Sequence, residues 1–337
     1  MNSKTVYIGN PMPESYGVTV IVDNIASVFN KNGVKAEVIY KLEGLPKDAF
    51  IIPYGIDIAL EMINKGYKTD TVFMADAFTL GYIEKIKFYL KHLNIFHYDF
   101  FYCFYCLLRD YRIETKVVKN FKNIILVSET DINYLKKRAL AETTFFCMPN
   151  GANFCHVEPK TKSDIVRLGI LSNWWHTTLA EENAWFINDY FQKYARTHKN
   201  VKLYLAGRGS YIEQFRKIPG VVIMGEIGDL NDFFKNIDIF ITANPKGCGI
   251  LNRVLDAFAY KTCVLGNKNS FTGFRYMKDS FVEFDDYRSF EIALNELSNN
   301  SERREQLVQN AYAEITEHNN WEKNIIKLLS FIQKKNV

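Results

Sequence analysis

Short apolar runs and longer amphipathic stretches alternate along almost the whole chain. Residues 5–9, 35–40, 49–53, 71–75 and 123–128 are runs rich in Val, Ile and Phe, too short for a helix, and each reads as a strand. After the first run comes a Pro-containing loop, 10–17, ending in Tyr16-Gly17. Residues 18–30 then place Val18, Ile21, Ile25, Val28 and Phe29 at helical spacing, and Lys31-Asn32-Gly33 stops them. Residues 129–139 read as the helix following strand 123–128.

The pattern breaks at Met148-Pro149-Asn150-Gly151 and stays polar over 158–164. It restarts with strands at 165–171, 201–206, 221–224, 239–242 and 262–265, helices at 179–197 and 230–236, and a largely helical tail over 289–335. Such alternation predicts an α/β protein with parallel sheets. The break predicts a first domain over 1–157, a second over 158–320, and a C-terminal helix over 321–337 that packs back towards the first domain. Two doubly wound halves make the cleft between them the default ligand site.

Composition narrows the partners. A length of 337 residues suits two domains of roughly 150 each. A net charge of +4 is too small to imply a nucleic-acid partner, and none is expected. Apolar runs stop short of a membrane span, and the start leads into a strand-like segment rather than a signal peptide. A cytoplasmic location is therefore expected. The cysteines offer no metal spacing beyond Cys103-x-x-Cys106, and free thiols are the expectation.

The richest chemical signal is Asn244-Pro245-Lys246-Gly247-Cys248-Gly249-Ile250-Leu251-Asn252-Arg253-Val254-Leu255-Asp256. Gly-x-Gly lets backbone approach a ligand closely, and the helix that follows offers N–H groups and a positive dipole end to an anion. Arg253 can add a charge-assisted contact and Asp256 can accept from a sugar hydroxyl. This suits a nucleotide diphosphate.

Other stretches admit two readings. Gly207-Arg208-Gly209-Ser210-Tyr211-Ile212, after strand 201–206 and with Glu226 further on, is either a pyrophosphate seat or a tight turn from strand to helix. Ile212 at the third glycine position weakens a dinucleotide fold. Ser172 and Asn173 end a strand, where they can bond phosphate or sugar oxygens; Trp174-Trp175 is a stacking surface or a packed corner. Asp76 ends strand 71–75 and is either a crevice acid or a helix cap. Residues 86–108 hold nine Phe and Tyr, flanked by Lys85, Lys87, Lys91, Arg109 and Arg112. That basic, aromatic segment is either a peripheral membrane contact, over 85–112, or buried packing, and Asp99 within it argues against insertion into hydrocarbon. Zincin, serine-hydrolase and P-loop patterns are absent, as is an Asp-x-Asp loop for a divalent ion, so no metal is expected.

With these motifs in order, the chain resembles the group 1 (family four) retaining glycosyltransferases, whose GT-B fold has two facing Rossmann-like domains. The resemblance spans nearly the whole length and rests on the Tyr16-Gly17 loop, Leu126-Val127-Ser128-Glu129-Thr130-Asp131, Pro149-Asn150-Gly151-Ala152-Asn153, Leu205-Ala206-Gly207-Arg208-Gly209, Gly225-Glu226-Ile227, Asp238-Ile239-Phe240-Ile241 and the run from Gly247 to Ala257. It implies hexosyl transfer from a nucleotide-diphosphate sugar, with retention and without a metal; with the basic aromatic segment added, the expectation is a glycan or lipid-linked acceptor in surface polysaccharide synthesis, at the inner face of the cell membrane. By the same resemblance, Gly247, Cys248, Gly249, Ile250, Leu251 and Asn252 present N–H groups to the donor, Asp256 matches the family's ribose-binding Glu, and Ile227 borders the base. Gly17, Ser172, Asn173, Gly207, Arg208 and Glu226 complete the candidate donor contacts, and Asp76, Arg253 and Lys246 are the candidate catalytic groups. The sequence departs from the common family form at Lys246, where a Glu is usual. An inactive partner subunit of the same fold and a sugar-nucleotide epimerase are the alternatives.

Overall fold

The computed structural model describes residues 5–14, 16–91, 98–157, 160, 163–175 and 177–335. They form two compact units. The first comprises Met1–Gly151, Cys248–Ile250 and His318–Val337; the second comprises Ala152–Gly247 and Leu251–Glu317.

The first unit runs β1 (Val6–Gly9), α1 (Tyr16–Lys31), β2 (Ala36–Ile39), β3 (Phe50–Pro53), α2 (Ile56–Lys65), β4 (Thr71–Met74), α3 (Phe78–Lys91), α4 (Tyr98–Asn120), β5 (Asn123–Leu126), α5 (Glu129–Lys136) and β6 (Thr144–Cys147). Parallel sheets β2-β1-β3 and β4-β5-β6 are joined by a parallel bridge from Tyr54 to Phe73. The strand order reverses at β1 and β3, which is where a doubly wound sheet opens a crevice at its carboxyl ends. The strands are apolar at successive positions because alternate residues serve opposite faces. Ile124 and Leu126 pack with Val117, Val118 and Phe121, whereas Ile125 and Val127 pack with Val22, Ile25 and Phe29.

Two expectations change here. Tyr16 and Gly17 belong to the first turn of α1 rather than to a loop. The segments 56–65 and 78–91, to which the sequence pattern assigns no element, are helices; the first is apolar on its buried side, whereas the second buries Thr79, Gly81, Lys85 and Tyr89. In α2 the buried positions are Ile58, Ala59 and Met62, and Gly66 closes the helix in the left-handed region at φ 68°.

The second unit runs β7 (Val166–Leu171), α6 (Thr177–Phe186), a π-helical turn Ile187–Phe191, α7 (Gln192–Ala195), β8 (Val201–Ala206), a 3-10 segment Ser210–Lys217, β9 (Val221–Gly225), α8 (Leu230–Phe234), β10 (Ile239–Thr242), α9 (Asn252–Ala259), β11 (Cys263–Asn267), a 3-10 segment Lys268–Phe274, β12 (Val282–Phe284), α10 (Tyr287–Asn299) and α11 (Ser301–His318). Its parallel sheet has the order β12-β11-β10-β7-β8-β9, the doubly wound dinucleotide-fold order with its reversal between β7 and β10. Arg167 on β7 holds Asp238 through Nη2 at 2.9 Å and Nε at 3.1 Å, fixing β7 beside the start of β10. Phe186, Tyr190, Phe284 and Phe290 form an aromatic nest in the core, Phe186 standing edge-on to Phe290 at 5.2 Å.

The last helix, α12 (Trp321–Lys335), belongs to the first unit, where Ile325, Leu328, Leu329 and Ile332 join the cluster around α1. Asn319 and Asn324 donate from their side-chain amides to the carbonyls of Asn150 and Pro149, at 2.7 and 3.0 Å. Gly151 leaves the space that the Trp321 ring fills; a Cβ there would overlap the ring. The Pro149-Asn150-Gly151 stretch is thus the seat of the C-terminal helix.

Candidate active site

In the second unit the loops after β7 and β10 stand on either side of the strand reversal. The loop after β10 is held by an asparagine brace. The Asn244 N–H donates to Asn267 Oδ1 (2.9 Å), Asn267 Nδ2 donates to the Asn244 carbonyl (2.8 Å), and Asn269 Nδ2 donates to the Pro245 carbonyl (2.9 Å). Asn244 Oδ1 then accepts from the Lys246 N–H at 3.2 Å. Three polar side chains fix the backbone that leads into Gly247, whose φ of 56° is one a side chain would strain.

The helix that follows, α9, buries Val254, Leu255, Ala257, Phe258 and Ala259, and no side chain caps its N-terminus. Its first turn carries Arg253. The Arg253 Nε is buried and meets no hydrogen-bond acceptor among the described residues. Burial pulls the guanidinium below its ordinary pKa, opposed by the charge of Glu182. Asp256, one turn on, is pushed up from 3.8 to about 6 by burial. A half-buried cation with a buried, unused donor, followed by a half-buried acid, is a constellation for an anion attached to a hydroxyl-bearing group.

The Gly207-Arg208-Gly209 turn has a packing explanation. A Cβ at Gly207 would strike the Ser172 carbonyl, and one at Gly209 would strike the backbone of Trp174 and Trp175. The Gly207 N–H donates to the Gly225 carbonyl at 2.7 Å, so it is not the phosphate donor that the sequence allowed. Trp174 is buried, with its indole N–H on the Ala206 carbonyl at 2.8 Å; it is the packed corner, while Trp175 is exposed. Ser172 Oγ accepts from Asn183 at 2.8 Å, and Asn173 Oδ1 is turned onto the Trp175 N–H at 3.0 Å. Asn173 thus closes a local turn. Arg208 and Glu226 form an exposed pair at 3.8 Å, with Ile227 half-buried beside it.

In the first unit, Asp76 follows β4 and is half-buried. The Cys248 thiol reaches Asp76 Oδ2 at 3.6 Å, and a Cβ on Gly249 would sit 3.2 Å from the Asp76 Cβ. Gly249 has φ 64°. Its N–H, expected to face a diphosphate, donates instead to Asp131 Oδ2 at 2.9 Å. The other Asp131 oxygen accepts the Ala77 N–H at 2.8 Å, and the Ser128 hydroxyl also donates to Asp131. Burial raises the Asp131 pKa against the lowering effect of these bonds. Ile250 packs on the α1 side of the sheet.

Asp131 is the residue that sequence reasoning missed as part of the site. Its signal was Ser128-x-x-Asp131, a helix-start pattern in which Ser128 Oγ does accept from the Asp131 N–H at 3.2 Å. The pattern announces the cap; nothing in it announces the bond to Gly249. Glu182 was likewise invisible, because it lies far from Arg253 in sequence.

At the β1/β3 reversal of the first unit lies a cavity of about 520 Å3, whose walls include Met12, Tyr54 and Phe78 with Tyr82, Arg109 and Asp110. Among the described residues, no group of three or more His, Cys, Asp or Glu is placed to hold a metal ion.

Comparison with known proteins agrees with the motif order. Residues 167–300 match the family model of the glycosyl transferases of group 1. No curated protein matches the sequence. S. aureus TarM, as a mutant in complex with Fondaparinux, alpha-GlcNAc-glycerol and UDP, superposes with a TM-score of 0.61 at 14% identity over 86% of this chain. The chain spans only 56% of that protein's length. Anabaena Alr3699/HepE, in complex with UDP, superposes with a TM-score of 0.58 at 11% identity, over 98% of this chain and 100% of the other. An alpha,alpha-trehalose-phosphate synthase (UDP-forming) from Burkholderia xenovorans gives 0.65 at 9% identity, over 98% and 100%.

The fold is therefore GT-B, with two Rossmann-like domains, and the segment that is similar to the group 1 glycosyl transferases contains α9, Arg253 and Asp256.

Proposed function

We propose that the protein transfers a hexosyl group from a nucleotide-diphosphate sugar to a glycan or lipid-linked acceptor, with retention, in surface polysaccharide synthesis at the cytoplasmic face of the membrane. The observation that carries this reading is Arg253: a half-buried side chain whose buried Nε–H is unused, at a helix start without a side-chain cap, in the segment that matches the family model. Negative charge grows on the departing diphosphate, and fixed donors placed there stabilise the transition state without reorganising. Arg253 and the N-terminal N–H groups of α9 supply that stabilisation, so no metal is invoked, and Lys246 adds a second cation. Asp256 accepts the ribose hydroxyls. The acceptor takes the apolar cavity of the first unit, where Tyr82, Arg109 and Asp110 supply polar contacts, and Asp76, after β4, is the acid that faces loop 248–250 in that unit.

Calorimetric titration with UDP, GDP and ADP tests the donor. One of them should bind, and Arg253→Ala should weaken the diphosphate about tenfold to a hundredfold while the corresponding nucleoside, which lacks the phosphates, is little affected. Absence of binding by all three nucleotides would reject the proposal. Product analysis with donor alone separates transfer from epimerisation, and activity should survive a chelator.

A further inference from the structure

Over residues 98–114, helix α4 is inverted relative to an ordinary surface helix, and only its last turns bury apolar side chains, Val117 and Val118. Its inner side carries Asp99, Cys103, Cys106, Asp110 and Glu114, all buried. Its outer side carries large apolar residues: Tyr98 is 74% exposed, Phe101 60%, Tyr105 60% and Leu108 61%, with Tyr102, Phe104 and Tyr111 beside them. Positions 98, 101, 105, 108 and 112 follow helical spacing, so they form one continuous stripe. A contiguous exposed aromatic face marks an interaction surface.

The charges of the helix are sorted by side. Asp99 faces Lys85 at 3.8 Å and accepts from the Tyr89 hydroxyl at 3.2 Å. Asp110 is held by Arg109 and by the Tyr82 hydroxyl, the latter at 3.1 Å. Glu114 is held by Arg138 and Thr79. Every acid on α4 is thus turned inward and paired. The exposed charges on the same helix are all basic: Arg112, Lys116 and Lys119 are added to Arg109, which is paired with Asp110. The objection raised by Asp99, that an acid inside the aromatic run resists a membrane, falls away because it occupies the opposite face.

From this sorting we infer that the outer face of α4 docks onto an anionic lipid bilayer. Tyrosine and phenylalanine rings suit the boundary between headgroups and acyl chains, and outward arginine and lysine meet the phosphates. The described helices include none long and apolar enough to cross a membrane, and α4 lies on the surface instead. The face gives the proposed lipid-linked acceptor its route in, since Arg109 and Asp110 of the same helix also line the cavity of about 520 Å3. In that respect the inference deepens the functional reading, but docking itself does not require a donor.

The experiment is co-sedimentation of the full chain with vesicles of phosphatidylcholine alone or mixed with phosphatidylglycerol, without nucleotide. The expected result is binding to the mixed vesicles only, weakening as salt rises. Replacing Phe101, Tyr105 and Leu108 together by Ser should abolish it, with the thermal melt and nucleotide binding unchanged because these side chains are exposed. Arg112→Glu should weaken it about fivefold or more. A chain that stays in solution with anionic vesicles overturns the inference, as does a triple variant that still binds. A concentration-dependent dimer lost in the triple variant, with vesicles unbound, would assign the face to a second copy instead. Nucleotide titration of the same preparation keeps failure here distinct from failure of the donor reading.

Discussion

Asp256 sits where a buried carboxylate is costly, and its pKa records that cost. Burial holds it at about 6, above the ordinary 3.8, so the folded protein binds this proton more tightly than the unfolded chain does. Between those values the folded state keeps the proton while the unfolded state loses it, and above about 6 the fold must carry the bare charge. This group's contribution to stability is therefore best at acid pH and is lost as pH rises through 6. Asp256→Asn should raise stability at neutral pH by up to about 3 kcal/mol, read by denaturant melts, and should have little effect near pH 4. The same variant should bind the donor nucleotide at least tenfold more weakly. In the wild type, donor affinity should fall as pH drops below about 6. A variant that is neither more stable nor weaker in binding would deny the residue this role.

At the scale of elements, the two Gly-x-Gly runs look alike in sequence and differ in the fold. A glycine is needed wherever backbone comes close to something, and sequence does not say whether that is ligand or chain. For Gly207 and Gly209 it is chain, the loop of Ser172 and Trp174. Gly207→Ala, at φ 123° and with its Cβ against a carbonyl, should cost about 2–4 kcal/mol and lower the melting temperature by several degrees. A melt equal to wild type would show that this turn has room. Strand and helix order was legible because period and punctuation are local: 201–206 and 239–242 are the observed β8 and β10. The strand 144–147 was missed because its residues are half-buried and lie just before the Pro149 break. Helix α4 was legible only as an aromatic run, since periodicity could not tell which of its sides faced inward.

For the molecule as a whole, the chain order does not match the division into units. Helix α12, last in sequence, completes the core of the first unit, and Cys248–Ile250 belongs there as well. Four side chains of α12, Ile325, Leu328, Leu329 and Ile332, are buried. At about 1.5–3 kcal/mol each, their removal approaches the roughly 5–15 kcal/mol that stabilises a typical domain. A chain ending at residue 317 should lose hydrogen-exchange protection in β1 to β6 while β7 to β12 stay protected. Retained protection in the first set would mean that α12 is dispensable.

Apolar spacing and glycine, proline and asparagine punctuation, all local properties, sufficed for the α/β class and for the order of motifs that resembles the group 1 glycosyltransferases. Tertiary packing settled matters of a different kind. It committed the Gly249 N–H to Asp131, left the Arg253 Nε–H buried and unused, and turned the acids of α4 inward with its rings outward. The reason is physical: a residue's type states which bonds it can make, whereas its partner, its desolvation and the side it presents depend on chain distant in sequence, brought near only by folding.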